Sequence, residues 1–319
     1  MIIHRSLYFL LFVITLTVIV INSGCTKSND EDNVCPYPPH PSFTALPENN
    51  AGSRIRSVTY VYDRTAIDAS YPPKIDSSTF LFSYDINGKI DSLHLIQNDS
   101  SFFYDFAFER QNNRLTAIHA HGWPKGCGPD LLTIDLELQY DGSGKVSLLK
   151  TIYPDPTIKS DSFIIKSTNN RIDTVIDRTL AVGTNTKKYA FKYDGSGNIV
   201  QMDQIQTTGV FYVIEKVFKY TLSGSPAPLV WGDEGIFWYF FANYCDISSN
   251  TDFMIPPILF HSTKQPSKLD VQVSGIYTAK SDYQMEYYNS GRLKKMTGNV
   301  ITSTGAFYAR EAYYYSYSQ

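Results

Sequence analysis

The stretch FKYDGSGNIV, Phe191 to Val200, has a near copy, LQYDGSGKV, Leu138 to Val146, which begins 53 residues upstream. Three further segments carry related letters: FSYDINGKIDSL from Phe82, FKYTLSGS from Phe218 and MEYYNSGRLKKM from Met285. A second form, FAFERQNNRLTAI from Phe106 and FIIKSTNNRIDTV from Phe163, alternates with the first. Asp85, Asp141 and Asp194 stand 56 and 53 residues apart, so the repeating unit is a pair of segments. An aspartate that can bond the backbone two residues on, followed three residues later by glycine, is turn chemistry. Gly88, Gly144, Gly197, Gly224 and Gly291 are the predicted turn glycines, because glycine adopts positive φ at little cost. In the second form asparagine, the next most tolerant residue, takes that place.

The flanks have a period of two. Ile134, Leu136, Leu138 and Tyr140 alternate with Thr133, Asp135, Glu137 and Gln139, and Phe102, Tyr104, Phe106 and Phe108 repeat the pattern. These are strands with one apolar and one wet face. After each turn the apolar residues come three apart, as in Ile90 and Leu93, Leu115 and Ile118, or Val146 and Leu149. On a regular strand that spacing points to opposite faces, so a β-bulge is expected, which would also add twist. The fold class that follows is all-β: an antiparallel meander of repeated β-hairpins, roughly twelve to sixteen strands forming one curled sheet. The clean tips stop between Ser225 and Gln284, where WGDEGIFWYFFANYCDISSN reads either as one short helix capped by Asp233 or as a strand buried on both faces.

The amino terminus reads as an address. MIIHR is followed by an uncharged run, Ser6 to Ile21, whose sixteen residues would span about 24 Å as a helix, short of the hydrocarbon core of a bilayer. A signal peptide over residues 1–24 is the better reading. It ends at INSGC, so Cys25 is the expected lipidation site in a bacterial lipobox, with Asn22 where leucine is usual. Residues 25–56 carry Asp30, Glu31 and Asp32 and then five prolines from Pro36 to Pro47, the composition of a flexible tether. Residues 57–319 are then the hairpin domain. With Cys25 acylated, Cys35, Cys127 and Cys245 remain, which allows one disulfide, and Cys127 with Cys245 is the pairing expected because Cys35 sits in the tether.

The tip Y-D-x-x-G-[KNR]-[IVL] resembles the YD repeat of Rhs-type proteins, and lipobox, tether and hairpin array together resemble uncharacterised YD-repeat-like lipoproteins of Bacteroidota. The likeness covers residues 57–224 and again 280–319. It implies a β-hairpin fold and an outer-membrane location, lipid-anchored and either surface-exposed or periplasmic, and no biochemical activity. The acids that follow Lys27 resemble the surface-export signal of such lipoproteins and equally suit a solvated linker.

Chemistry is sparse by comparison. A net charge of -3 gives no basic footprint for nucleic acid. His119 and His121 would share a strand face near Cys127, but three groups on an unpatterned loop do not make a zinc or copper site, and no metal or cofactor is expected. Asp233 and Glu234 invite a glycosidase reading, with Asp105 or Asp135 as substitute partners, yet neighbouring strand residues point to opposite faces. No EF-hand, P-loop, G-x-S-x-G or H-E-x-x-H pattern is present, so no catalytic residue is assigned and an enzyme is not expected. Aromatic residues make 14% of the chain, enough to supply sheet faces that hold a protein or stack a sugar. Three functions therefore compete: a binding or scaffold lipoprotein attached to the membrane, a glycan-binding accessory lipoprotein, and a cell-envelope hydrolase.

Overall fold

The computed structural model of the protein describes residues 54–63, 75–97, 102–124, 132–157, 160–178, 186–208, 212–244, 262–273, 277–302 and 307–318. Cys25, Cys127 and Cys245 lie outside them, and with them the expected lipidation site and the expected disulfide. Sixteen strands are described. In chain order they are β1 (Arg54–Asp63), β2 (Ile75–Tyr84), β3 (Ile90–Gln97), β4 (Phe102–Gln111), β5 (Arg114–Pro124), β6 (Leu132–Tyr140), β7 (Val146–Ile152) and β8 (Ser162–Thr168). The second half comprises β9 (Arg171–Asp177), β10 (Thr186–Tyr193), β11 (Ile199–Thr208), β12 (Tyr212–Pro226), β13 (Lys264–Val273), β14 (Tyr277–Tyr287), β15 (Leu293–Thr302) and β16 (Phe307–Ser318). One helix, α1 (Asp233–Tyr244), stands between β12 and β13.

Each strand pairs antiparallel with its chain neighbours, as a meander must. The sheet does not stay open, however. Strand β1 pairs with β16 from Arg54 opposite Ser318 to Asp63 opposite Arg310, and the sixteen strands close into a barrel. The expected curled sheet is thus corrected to a closed one, in which the first and last strands satisfy each other's backbone groups and no edge is left to accept a peptide strand.

The bulges fall where the three-residue spacing puts them. Tyr84 pairs with Ile90 while Ser83 pairs with Ser92, so Asp91 is the extra residue, and Ile90 and Leu93 are both buried. The same shift leaves out Thr116, Ser147, Asp173, Val200 and Lys294 in the other hairpins. At the tips, the amide of the glycine donates to the aspartate carbonyl at 3.0 Å for Gly88 and Asp85, 2.9 Å for Gly144 and Asp141, and 3.1 Å for Gly197 and Asp194. In the second form both asparagines carry the turn, Asn112 and Asn113 at φ 51° and 66°, Asn169 and Asn170 at 50° and 61°, the two-residue turn whose twist matches paired strands. Gly224 is a correction. It lies inside β12, outside the positive-φ residues, because Thr221 stands where the turn aspartate would be and the strand runs on to pair Pro226 with Lys264.

The core is the barrel's lumen. A sixteen-strand barrel is ordinarily wide enough to leave a channel, but here α1 and long wall side chains fill the described interior. Every residue from Ile236 to Ala242 is buried, so the helix has no wet face and must sit inside apolar surroundings. Trp238 meets Phe80 and Phe106 edge-on at 5.9 and 5.8 Å, and Phe240 meets Tyr189 at 4.6 Å and Phe163 at 6.1 Å. Strands β2, β4, β8 and β10 thus close on one helix, which the sequence would equally have allowed to lie on an open sheet face.

Candidate functional site

The hairpins that join β2 to β3, β4 to β5, β6 to β7, β8 to β9 and β10 to β11 all reverse at one end of the barrel, its rim. The two tip forms interlock there. Tyr140, beside the aspartate tip of β6–β7, donates its hydroxyl to the carbonyl of Leu115 at 2.6 Å, and the preceding Arg114 lies over the Tyr140 ring at 5.6 Å. Tyr193 repeats this with Ile172 at 2.7 Å and Arg171 at 5.5 Å. At the barrel seam Tyr84 bonds Ile55 at 2.7 Å under Arg54, and Tyr317 bonds Leu293 at 2.9 Å under Arg292. The arginine also crosses the neighbouring glycine tip: a Cβ on Gly144 would stand 3.1 Å from the Arg114 guanidinium, and one on Gly197 3.0 Å from that of Arg171. At Arg114 and Arg171 the asparagine form supplies the arginine and the next glycine form supplies the tyrosine and glycine that receive it.

The amino end of α1 is fastened to this rim. Glu234 accepts from Arg110 at 2.5 Å and lies 3.9 Å from Lys89, whose ammonium also donates to the Asn113 carbonyl at 2.8 Å. Beside it opens a cleft of about 290 Å³. Its apolar lining comes from Leu115, Val146, Ile172 and Phe237. Its polar lining includes Arg114, Lys145, Asp233, Asn113, Asn170 and Ser167. Burial pushes the Tyr140 hydroxyl up in pKa, helped by Glu234 and opposed by Arg114 and Arg110. These residues come from three hairpins and a helix, and no local motif announces their meeting.

A second polar cluster lies in the lumen. Glu311 is 6% exposed, with the hydroxyls of Tyr60 and Tyr313 at 3.4 and 3.3 Å from its Oε2. Burial pushes its carboxyl up, and the hydroxyls of Ser281, Tyr283, Tyr313 and Tyr60 pull the other way. Gly298, paired with Glu311 across the β15–β16 ladder, leaves the space that Ser281 Oγ and the Tyr283 ring occupy.

The sequence-derived candidates are distributed differently. His119 and His121 share the outer face of β5, as their spacing requires. His119 Nδ1 pairs with Asp135 at 2.8 Å and its Nε2 with Glu109 at 3.3 Å, while His121 meets Thr133 at 3.5 Å. His94 pairs with Asp105 on the same face. Asp105 and Asp135 are therefore histidine partners and not a carboxylate pair about a shared bond. Among the described residues no group of histidine, cysteine and acidic side chains has the geometry to hold a metal ion. Asp233 begins α1 and Glu234 pairs with Arg110.

The outer wall carries charged residues along its described strands. Lys192, Gln201, Lys219, Asp270 and Lys280 follow one another in register across β10 to β14, and Lys268, Asp282, Asn299, Arg310 and Asp63 do so from β13 across the seam to β1. A lipid-facing wall needs an apolar band about 25 Å tall. These charged rows leave none over the strands they cross. The described wall is apolar inside and wet outside.

No protein-family model matches the chain, and no curated protein matches it. Among solved structures the chain is similar to a porin-like protein from Bacteroides uniformis, with 11% identity, a TM-score of 0.48, and 84% of this chain and 98% of that one covered. It is also similar to a porin-like protein from Bacteroides vulgatus, with 11% identity, a TM-score of 0.36, and coverage of 83% and 99%.

Proposed function

We propose that this protein is an outer-membrane lipoprotein, attached through acylated Cys25, whose barrel is a water-facing binding or scaffold body and not a channel. The observation that carries the reading is the polarity of the wall: charged rows outside, and a lumen packed with α1 and aromatic side chains. A barrel of that polarity is not at home in hydrocarbon, so its attachment falls to the lipobox and tether. Several acyl chains on one cysteine give the stable anchoring that a single chain does not.

The glycan reading in its simplest form, a flat row of exposed rings, lacks support. Tyr287 and Tyr314 are the exposed large aromatics among the described residues; one bonds Ser225 at 2.6 Å and the other lies beneath Lys295 at 5.4 Å. The hydrolase reading has no converging carboxylate pair to support it among the described residues. Palmitate labelling that marks the wild type and is lost in Cys25→Ala, together with purified protein that adds no conductance to a planar bilayer, is the expected result. Stable conductance steps, or label that survives the substitution, would sink the proposal.

A further inference from the structure

Among the described residues four large hydrophobic side chains are exposed, Ile86, Val230, Tyr287 and Tyr314, and they are not scattered evenly. Ile86, 98% exposed, follows Asp85 in the tip of β2–β3, at the position that Gly142 and Gly195 hold in the tips of β6–β7 and β10–β11. Val230, 52% exposed, leads into α1 and precedes Trp231, whose ring meets Phe82 and Phe108 at 6.2 and 5.3 Å near the rim ends of β2 and β4. Tyr287 ends β14, which turns into β15 at the same end of the barrel. Tyr314 alone of the four stands on the wall, between Lys295 and Thr59.

A single exposed aliphatic side chain on a surface is ordinary. What gives Ile86 a direction is the place where the chain enters the barrel. Arg54, the first residue of β1, lies over the Tyr84 ring at 5.6 Å, and a Cβ on Gly88 would stand 2.7 Å from its guanidinium. The segment that leads from Cys25 therefore joins the barrel at the tip that carries Ile86. Entry at the opposite end would set the rim farther from the anchored residue by the length of a ten-residue strand, about 33 Å. Burial of one isoleucine side chain favours the apolar phase by roughly tenfold or more, too little to capture a protein from free solution. An acyl chain already confines the protein to the bilayer, so the same contact becomes intramolecular and gains the effective concentration that a linker confers. We propose that the rim is the membrane-facing end of the barrel, with Ile86 and Val230 entering the lipid interface while the charged wall stays in water. This deepens the anchored reading above and rests on it.

The test is photocrosslinking of the full acylated chain in vesicles of phosphatidylethanolamine and phosphatidylglycerol, with p-benzoylphenylalanine in place of Val230 or, on the wall, of Lys188. Lipid adducts, read by mass, should form at least about tenfold more at position 230 than at 188. Adding Ile86→Asp to the position-230 probe should cut its adduct about fivefold or more. The melting curve should not move, because a side chain 98% exposed contributes nothing to the core. Equal yields at the two positions, an adduct undiminished by Ile86→Asp, or adducts to a second copy of the chain in place of lipid would overturn the assignment. Mass measurement of the acyl group on the same sample separates the two readings. An acylated chain with no preference for position 230 sinks the rim contact alone, an unacylated one that keeps the preference sinks the anchor alone, and an unacylated one without it sinks both.

Discussion

The hydroxyl of Tyr140 reaches across from its own hairpin to the carbonyl of Leu115, 25 residues earlier, at 2.6 Å, beneath the guanidinium of Arg114. This contact joins one tip form to the other, and the same geometry recurs at Tyr193 and Ile172. Tyr140→Phe keeps the ring under its arginine and removes only the donor, leaving the Leu115 carbonyl short of a partner. The expected loss is about 1 kcal/mol for each of Tyr140→Phe and Tyr193→Phe by urea denaturation. A double variant should lose close to the sum if the two rim contacts act independently; no loss in either would remove the interlocking contact as a source of stability.

Gly144 and Gly142 share a tip and separate two effects. Gly144 holds φ at +79° with Arg114 against it, whereas at Gly142 a Cβ would meet nothing within 4 Å and the backbone has no positive φ. Gly144→Ala should therefore cost about 1–2 kcal/mol, partly in backbone strain and partly in displaced arginine. Gly142→Ala should stay within about 0.5 kcal/mol of wild type. Equal melting temperatures for the two variants would contradict the assignment of Gly144 as the constrained position.

What the residues reveal locally is the hairpin, and what they hide is its closure. The spacing of Ile90 and Leu93 encodes a bulge because side-chain direction is a local property of the chain. The pairing of Tyr60 with Tyr313 is set by how much twist many hairpins accumulate, and no short stretch carries that sum. FKYTLSGS shows the opposite failure: the letters around Gly224 match the tips, but without an aspartate to accept the turn amides the strand continues. The rim cleft was equally hidden, since Asn113, Lys145, Asn170 and Asp233 meet only after three hairpins and a helix are in place. Asp233 itself, at the head of an aromatic run, was legible as a helix start.

Trp238 is the natural probe of the filled lumen. It stacks on Trp231 at 5.5 Å and meets Phe80 and Phe106 edge-on, tying β2 and β4 to α1. Trp238→Ala should cost about 3–5 kcal/mol, the usual range for an indole removed from a packed core. Its near-ultraviolet circular dichroism should fall at the same time. A barrel that kept its stability without this ring would not depend on the helix for its core.

Protonation should act on the fold from two sides. The Asp141 carboxylate accepts from the amides of Lys145 and Ser143 at 3.0 and 2.8 Å, and Asp194 from the side chain and amide of Asn198, each at 2.9 Å. These bonds hold both carboxyls below the ordinary aspartate range, so the stability they lend is present above that range and is lost as pH falls through the lower folded values. Glu311 is the reverse case. Burial raises its carboxyl, so the folded state binds that proton more tightly than the unfolded chain does. Stability is then lost as pH rises from the ordinary glutamate range through the raised folded value, and stays lost above it. Melting temperatures followed from about pH 3 to about pH 8 should show both limbs. Asp141→Asn with Asp194→Asn should flatten the acid limb and leave the other. Glu311→Gln should flatten the upper limb and leave the acid one, and an upper limb unchanged by that substitution would mean that Glu311 does not govern it.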